Sequence, residues 1–280
     1  MSDKPSIVIV PGAMGIPEFY DPVVNLVRAQ GYEIKGLHLP SVNPNTGLVD
    51  REPTTMYDDA AFIAKEVEKL ADEGKNIVLV PHSYGGVPTT ESTKGLSRAE
   101  RQAQGKPGGI VRLAYMTCLV PAMGMPAAAV LGEVPEEQQI GMKIDVSLPL
   151  LSRFESHHLD TSRQEKGFLY HEDIARAADL CFTDMSPEEG MAWIKRFPRH
   201  SSVSFGGPLT HAGYKDIPVS YLVCENDRCI PPDHQRKGID LIEKVSGRKV
   251  DVSSLQGDHC APAYNGQEVS QWLLAVARKS

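Results

Sequence analysis

Pro81-His82-Ser83-Tyr84-Gly85-Gly86 follows directly on the apolar run Ile77-Val78-Leu79-Val80 and opens a stretch that reads as a helix. A serine at so sharp a strand-to-helix turn is held in strained backbone geometry with its hydroxyl exposed, the arrangement of a nucleophile elbow. The residues two positions away must be small, because a side chain there collides with the strand or the helix. Gly85 and Gly86 meet that need after the serine; before it stands Pro81, which has a Cβ and no N–H.

Working outward, two further residue types appear in the order that such a serine needs. Asp227 follows the strand-like run Val219–Cys224, and His259 follows the run Lys249–Val252 within Gln256-Gly257-Asp258-His259-Cys260. Both lie just past the end of a strand, at the edge where open parallel sheets assemble their sites. Ser83, Asp227 and His259 are therefore the candidate catalytic residues: nucleophile, orienting acid and base. Glu225 and Asp258 compete for the acid. Glu225 sits immediately after its strand, whereas Asp227 lies in the turn, from which a carboxylate reaches across. Asp258 is too near His259 in sequence to face its ring.

An acyl-transfer site also needs donors for the developing oxyanion. Backbone amides supply them: Tyr84 after the nucleophile, and Ala13 in the turn Pro11-Gly12-Ala13-Met14-Gly15, with Met14 the neighbouring possibility. That glycine-bearing turn lets backbone approach a substrate closely. The competing readings are a plain turn and a phosphate cradle, the latter weakened because neither GxGxxG nor a Walker lysine is present. His82 is expected to point away from Ser83 and to serve packing or local hydrogen bonding.

Strand and helix signals alternate around these points. Ser6–Val10, Tyr32–Leu37, Asn76–Val80, Ile110–Val120, Val219–Cys224 and Lys249–Leu255 read as strands. Phe19–Gln30, Tyr57–Ala71 and Val269–Arg278 read as helices. Such alternation predicts a mostly parallel sheet flanked by helices, joined by right-handed crossovers. Between Pro121 and Ile217 strand signals stop and proline-separated helical pieces take over, Glu172–Leu180 and Pro187–Phe197 among them. The expected organisation is a core of residues 1–120 and 218–280 with a helical cap of residues 121–217. The cap's apolar residues, Phe154, Phe182 and Trp193 with Leu150, Leu151 and Met185, are candidates to hold an apolar or aromatic group; Gly12 and Met14 are candidates on the core side.

The chain has 280 residues, enough for one large α/β domain with an insertion, and its net charge of −7 lacks the basic face of a nucleic-acid binder. No run approaches the roughly 18 apolar residues of a membrane span. Ile7–Val10 is too short for a signal-peptide core. The five cysteines are odd in number, lack CxxC spacing and suit a reducing, cytoplasmic setting. His157-His158, Asp160 and His171 lack metal-ligand spacing. No metal, cofactor, nucleic-acid or membrane partner is expected; a small-molecule substrate is, and the oligomeric state is not readable.

Together these segments resemble the α/β-hydrolase superfamily, and within it small methylesterases and hydroxynitrile-lyase-like serine esterases with their bacterial and fungal relatives. The family pattern of His-Gly-Ala, Gly-His-Ser-x-Gly-Gly, a late acid and Gly-Asp-His-Cys is matched by Pro11-Gly12-Ala13, Pro81–Gly86, Glu225-Asn226-Asp227 and Gly257-Asp258-His259-Cys260. Two family positions, one histidine and one glycine, are proline here. The resemblance implies the α/β-hydrolase fold and cleavage of a carboxylic ester through an acyl-enzyme. Hydroxynitrile lyases of this branch carry a threonine and a lysine where this chain has Gly12 and Cys260. Lyase, cyclase and acyl-transfer chemistry on the same fold stand as the alternative, and a non-catalytic receptor as a more distant one.

Overall fold

The computed structural model describes residues 4–43, 52–145 and 167–280. The chain opens with β1 (Ser6–Val10), α1 (Asp21–Ala29), β2 (Ile34–Gly36) and the two-residue β3 (Val42–Asn43). There follow α2 (Met56–Asp72), β4 (Asn76–Pro81), α3 (Gly86–Ser92), α4 (Arg98–Ala103) and β5 (Gly109–Met116). Next come α5 (Ala127–Leu131), β6 (Met142–Asp145), β7 (Phe168–His171), α6 (Ile174–Cys181), α7 (Pro187–Ile194) and β8 (Arg199–Ser201). The chain ends with β9 (Val219–Cys224), α8 (Pro232–Ser246), β10 (Asp251–Leu255), α9 (Ala261–Tyr264) and α10 (Gly266–Arg278).

Six strands form one parallel sheet in the order β10-β9-β5-β4-β1-β2. Successive strand residues face opposite sides, and the buried clusters divide accordingly. Val8, Val10, Leu79 and Leu113 pack with Ile63 and Val67 of α2 and Ile242 of α8. Ile7, Ile9, Val78 and Val80 pack with Val27 of α1 and Leu273 of α10. α2 starts at a capping box in which Thr55 Oγ1 accepts from Asp58 N–H and the Asp58 carboxylate accepts from Thr55 N–H. α8 stops at Gly247, whose φ of 66° only glycine adopts without cost. The strand expected over Ile110–Val120 ends at Met116, because Thr117 turns the chain at a φ of 45°.

From β1 the chain runs outward to β2, then returns to β4 on the other side of β1. The loops leaving β1 and β4 therefore diverge, and a crevice opens at the C-terminal edge between them. Both Gly12 and Ser83 belong to those two loops.

The expectation of a strandless, wholly helical block between Pro121 and Ile217 is corrected. That segment carries α5, α6 and α7, and also β6, β7 and β8, which with β3 form a second, antiparallel sheet in the order β3-β8-β7-β6. These strands are three or four residues long, too short to establish a period of two in sequence. Among the described residues their partner outside the segment is Val42–Asn43, from the N-terminal part of the chain. Among the described residues no helix is long and apolar enough to cross a membrane.

One buried carboxylate joins the two sheets. Asp59 on α2 accepts Ser41 N–H at 2.8 Å and Tyr84 O–H at 2.8 Å, and Ser41 C=O accepts Ser201 N–H at 2.8 Å. Burial pushes the Asp59 carboxyl up to about 6, against the pull of these donors. A raised carboxyl binds its proton more tightly in the folded state. Its stabilising contribution is therefore complete below the ordinary value, near 4, and is lost as pH rises towards 6. The stability of the native chain minus that of Asp59→Asn is expected to fall by ~2–3 kcal/mol between about pH 4 and 6.5. Denaturant melts of the two proteins at matched pH measure it.

Candidate active site

β4 ends at Pro81, and Ser83 takes a φ of 53°, the left-handed region that side chains rarely enter. The proline does not disturb the turn: His82 N–H donates to Val10 C=O at 3.0 Å, and Pro81 C=O accepts the Cys118 thiol at 3.1 Å. Close approach explains the glycines. A Cβ on Gly85 would lie 2.5 Å from Pro11 O, one on Gly86 2.7 Å from Leu119 O, and one on Gly12 2.9 Å from Ser83 Cβ.

The three residues singled out as catalytic candidates come together. Ser83 Oγ lies 2.9 Å from His259 Nε2, and His259 Nδ1 lies 2.8 Å from Asp227 Oδ2. Asp227 is buried, and its Oδ1 accepts the N–H groups of Cys229 and Ile230, both at 2.8 Å. Gln235 Nε2 donates to Oδ2 at 3.2 Å. A carboxylate so committed is fixed as an acceptor, so neutral His259 presents Nδ1–H to it and a bare Nε2 to the serine hydroxyl. Burial acts to lower the His259 value, but the Asp227 carboxylate outweighs it and holds the imidazole well above its ordinary value. Glu225 is engaged elsewhere, with both oxygens on Arg236 at 2.7 and 2.9 Å. Asp258 accepts from Cys260 N–H and Asp184 N–H.

In the turn after β1, Gly12 N–H donates to Tyr20 Oη at 3.2 Å, Met14 N–H to His200 Nδ1 at 3.3 Å, and Gly15 N–H to Gly12 C=O at 3.0 Å. Ala13 N–H has no acceptor among the described residues. Tyr84 N–H, at the start of the turn that leads into α3, is in the same position. His82 does point away from Ser83 towards local partners: Nδ1 lies 2.8 Å from Tyr20 Oη and Nε2 2.8 Å from His259 O.

Above these groups lies a cavity of about 520 Å³ that reaches Gly12, Ala13, Met14, Ser83, Tyr84 and His259. Phe182 and Trp193 line it as expected and are stacked with centroids 6.0 Å apart. Phe19 and Phe197, not singled out in the sequence, complete the aromatic wall: Phe19 meets Trp193 edge-on at 5.5 Å and stacks on Phe197 at 5.5 Å. Leu169 and Met142 come from the antiparallel sheet. His171 also lines the cavity, and burial lowers its imidazole to about 4, so it is neutral at physiological pH. Phe154, Leu150, Leu151, His157, His158 and Asp160 lie outside the described residues. Among the described residues no group of three or more His, Cys, Asp or Glu side chains is placed to hold a metal ion. All five cysteines are free thiols.

The family model described as the alpha/beta hydrolase family matches residues 7–272. The chain belongs to the alpha/beta hydrolase family. Among curated proteins this alpha/beta hydrolase is 29% identical over 257 residues to the probable hydrolase R7 of a Phoma species, covering 92% of this chain and 91% of that one. It is 29% identical over 268 residues to the pyrethroid hydrolase of Sphingobium wenxiniae, covering 94% and 83%. Among solved structures, polyneuridine aldehyde esterase superposes with a TM-score of 0.71 at 16% identity, over 98% of this chain and 100% of that one. At that identity the superposition speaks for the fold.

The left-handed backbone at Ser83 has a measurable consequence. Alanine there keeps the Cβ and its strain, whereas glycine removes both, a difference of about 1–2 kcal/mol for one residue in this region. Part of that is offset by glycine's freer unfolded chain. Ser83→Gly is expected to melt above Ser83→Ala, by calorimetry, although glycine substitutions ordinarily destabilise.

Proposed function

We propose that this alpha/beta hydrolase is a serine esterase that cleaves carboxylic esters of small, apolar or aromatic compounds through an acyl-enzyme on Ser83. The observation that carries the reading is the continuous path from Ser83 Oγ to His259 Nε2 at 2.9 Å and from His259 Nδ1 to Asp227 Oδ2 at 2.8 Å. Ser83 donates its proton to His259 Nε2 as Oγ attacks the ester carbonyl. The imidazolium is stabilised by Asp227, and the N–H groups of Ala13 and Tyr84 take the oxyanion. Collapse expels the alcohol, which leaves with the proton from His259. Water then attacks the acyl-enzyme with His259 as base, releasing the acid and restoring the serine hydroxyl.

The cavity volume, about 520 Å³, falls in the range of small-molecule sites. Its aromatic wall of Phe19, Phe182, Trp193 and Phe197 favours a flat apolar group. Relatives named as hydrolases, one of them a pyrethroid hydrolase, support hydrolysis.

A fluorophosphonate probe followed by peptide mapping tests the nucleophile, with labelling expected on Ser83. Hydrolysis in heavy-oxygen water is expected to place the label in the acid product. A product of the same mass as the substrate, with no adduct on Ser83, would favour isomerisation or cyclisation instead.

Ser83→Ala and His259→Ala are expected to lose turnover equally, by ~10⁴-fold or more, and not additively in the double variant. Asp227→Asn is expected to lose about 10³–10⁴-fold, and Glu225→Gln to stay near native rates. A severe Glu225→Gln with a mild Asp227→Asn would reassign the acid. The pH profile follows from the raised histidine. His259 acts as base when neutral, so activity is expected to rise with pH to a midpoint above the ordinary ~6.5. The residual activity of Asp227→Asn should have its midpoint at lower pH, since the carboxylate that holds the proton is gone. Steady-state rates from pH 5 to 10 measure both.

A further inference from the structure

Three successive amides follow Pro11 in the turn beneath the cavity, and they are not equivalent. Gly12 N–H and Met14 N–H each have a protein acceptor, Tyr20 Oη and His200 Nδ1, and Ala13 N–H between them has none among the described residues. Each acceptor is prepared by a buried hydrogen-bond chain whose direction is dictated by chemistry. On one side, His259 C=O can only accept, so His82 Nε2 carries the hydrogen there. Burial lowers His82 to about 3 and keeps it neutral, so its Nδ1 is bare and accepts the Tyr20 hydroxyl. The Tyr20 oxygen is left free to accept Gly12 N–H.

The other side follows the same logic. Ser204 Oγ–H donates to Ser201 C=O at 2.9 Å, so its oxygen accepts His200 Nε2–H at 2.9 Å. His200 is fully buried, and burial lowers it to about 3. Its Nδ1 is therefore bare and faces Met14 N–H. Met14 needs such a restraint, because its φ of 58° is left-handed and its N–H makes no other hydrogen bond among the described residues.

We propose that Tyr20 and His200 are positioning residues that occupy the amides flanking Ala13 and so hold Ala13 N–H as the turn's single donor to the oxyanion. This rests on the reading of Ser83 as an acylated nucleophile. Neither side chain gives a proton to the substrate. They act through backbone geometry, and Tyr20 also ties the turn to the His259 carbonyl through His82.

The test uses p-nitrophenyl butyrate for turnover and a boronic acid, phenylboronic acid, as a tetrahedral adduct of Ser83. Oxyanion bonds form only in the transition state, so Tyr20→Phe and His200→Phe are expected to lower kcat about tenfold or more while KM changes less than about threefold. Affinity for the boronic acid should fall in parallel with kcat. His200→Asn offers an oxygen near the position of Nδ1 and is expected to recover kcat to within about threefold of native. That recovery separates an acceptor role from mere packing, which the larger phenylalanine would satisfy better. Full kcat in Tyr20→Phe and His200→Phe would overturn the proposal. So would a His200→Asn that melts like the native chain yet loses as much as His200→Phe. Fluorophosphonate labelling of the native protein is the control for the underlying reading. An unlabelled Ser83 fails that reading itself, whereas a labelled Ser83 with indifferent variants fails the positioning proposal alone.

Discussion

The structure depends on how closely β1 and β4 bring their ends together. An added Cβ at Gly12 would sit 2.9 Å from Ser83 Cβ, and one at Gly85 2.5 Å from Pro11 O, so the two strand ends touch with no side chain between them before their loops diverge. Within that contact Ser83 holds a left-handed conformation, at a cost of about 1–2 kcal/mol. The contact also places the serine hydroxyl and the backbone of the Gly12–Gly15 turn on the same small space. His259 arrives from β10, three strands away from β4 in the sheet, a lateral distance of roughly 14 Å. Its loop is pinned on the way, by Asn226 N–H to Gly257 C=O at 3.0 Å and by His82 Nε2–H to His259 C=O at 2.8 Å.

What could be read from sequence was local. Ser83, Asp227 and His259 each follow a strand long enough to be recognised, and their order along the chain matches the order of the parallel strands that carry them. The preference for Asp227 over Glu225 rested on reach, and the geometry has the same cause. Three residues beyond the strand, the turn brings the Asp227 carboxylate round to the imidazole, while Glu225 lies against Arg236.

What could not be read was non-local. His200 meets Met14 across 186 residues, and Tyr20 meets His82 across 62. Nothing in a lone buried histidine or tyrosine announces such a partner. The second sheet escaped because strands of three or four residues leave no periodic trace. Phe19 and Phe197 escaped for a related reason: each reads as ordinary core until the fold turns it towards the cavity. Pro81 stands where the family pattern has glycine, and the N–H it lacks is not needed there, since the bond to β1 is made by His82.

The pairing of Val42–Asn43 with β8 also bears on how such a fold diversifies. Ser201 N–H reaches Ser41 C=O, Ser201 Oγ reaches Thr54 C=O, and Ser41 N–H reaches the carboxylate that also holds the Tyr84 hydroxyl. The segment over the cavity is thus stitched into the frame beneath it, and each stitch from Ser201 ends outside residues 121–217, at Ser41 or Thr54. A graft that exchanged those residues alone would bring a foreign edge to Val42 and Ser41 and strip the frame of donors and acceptors it relies on. In this chain, changing wall residues one at a time leaves those bonds in place, whereas trading the whole covering segment keeps them only if the short stretch around Ser41 travels with it.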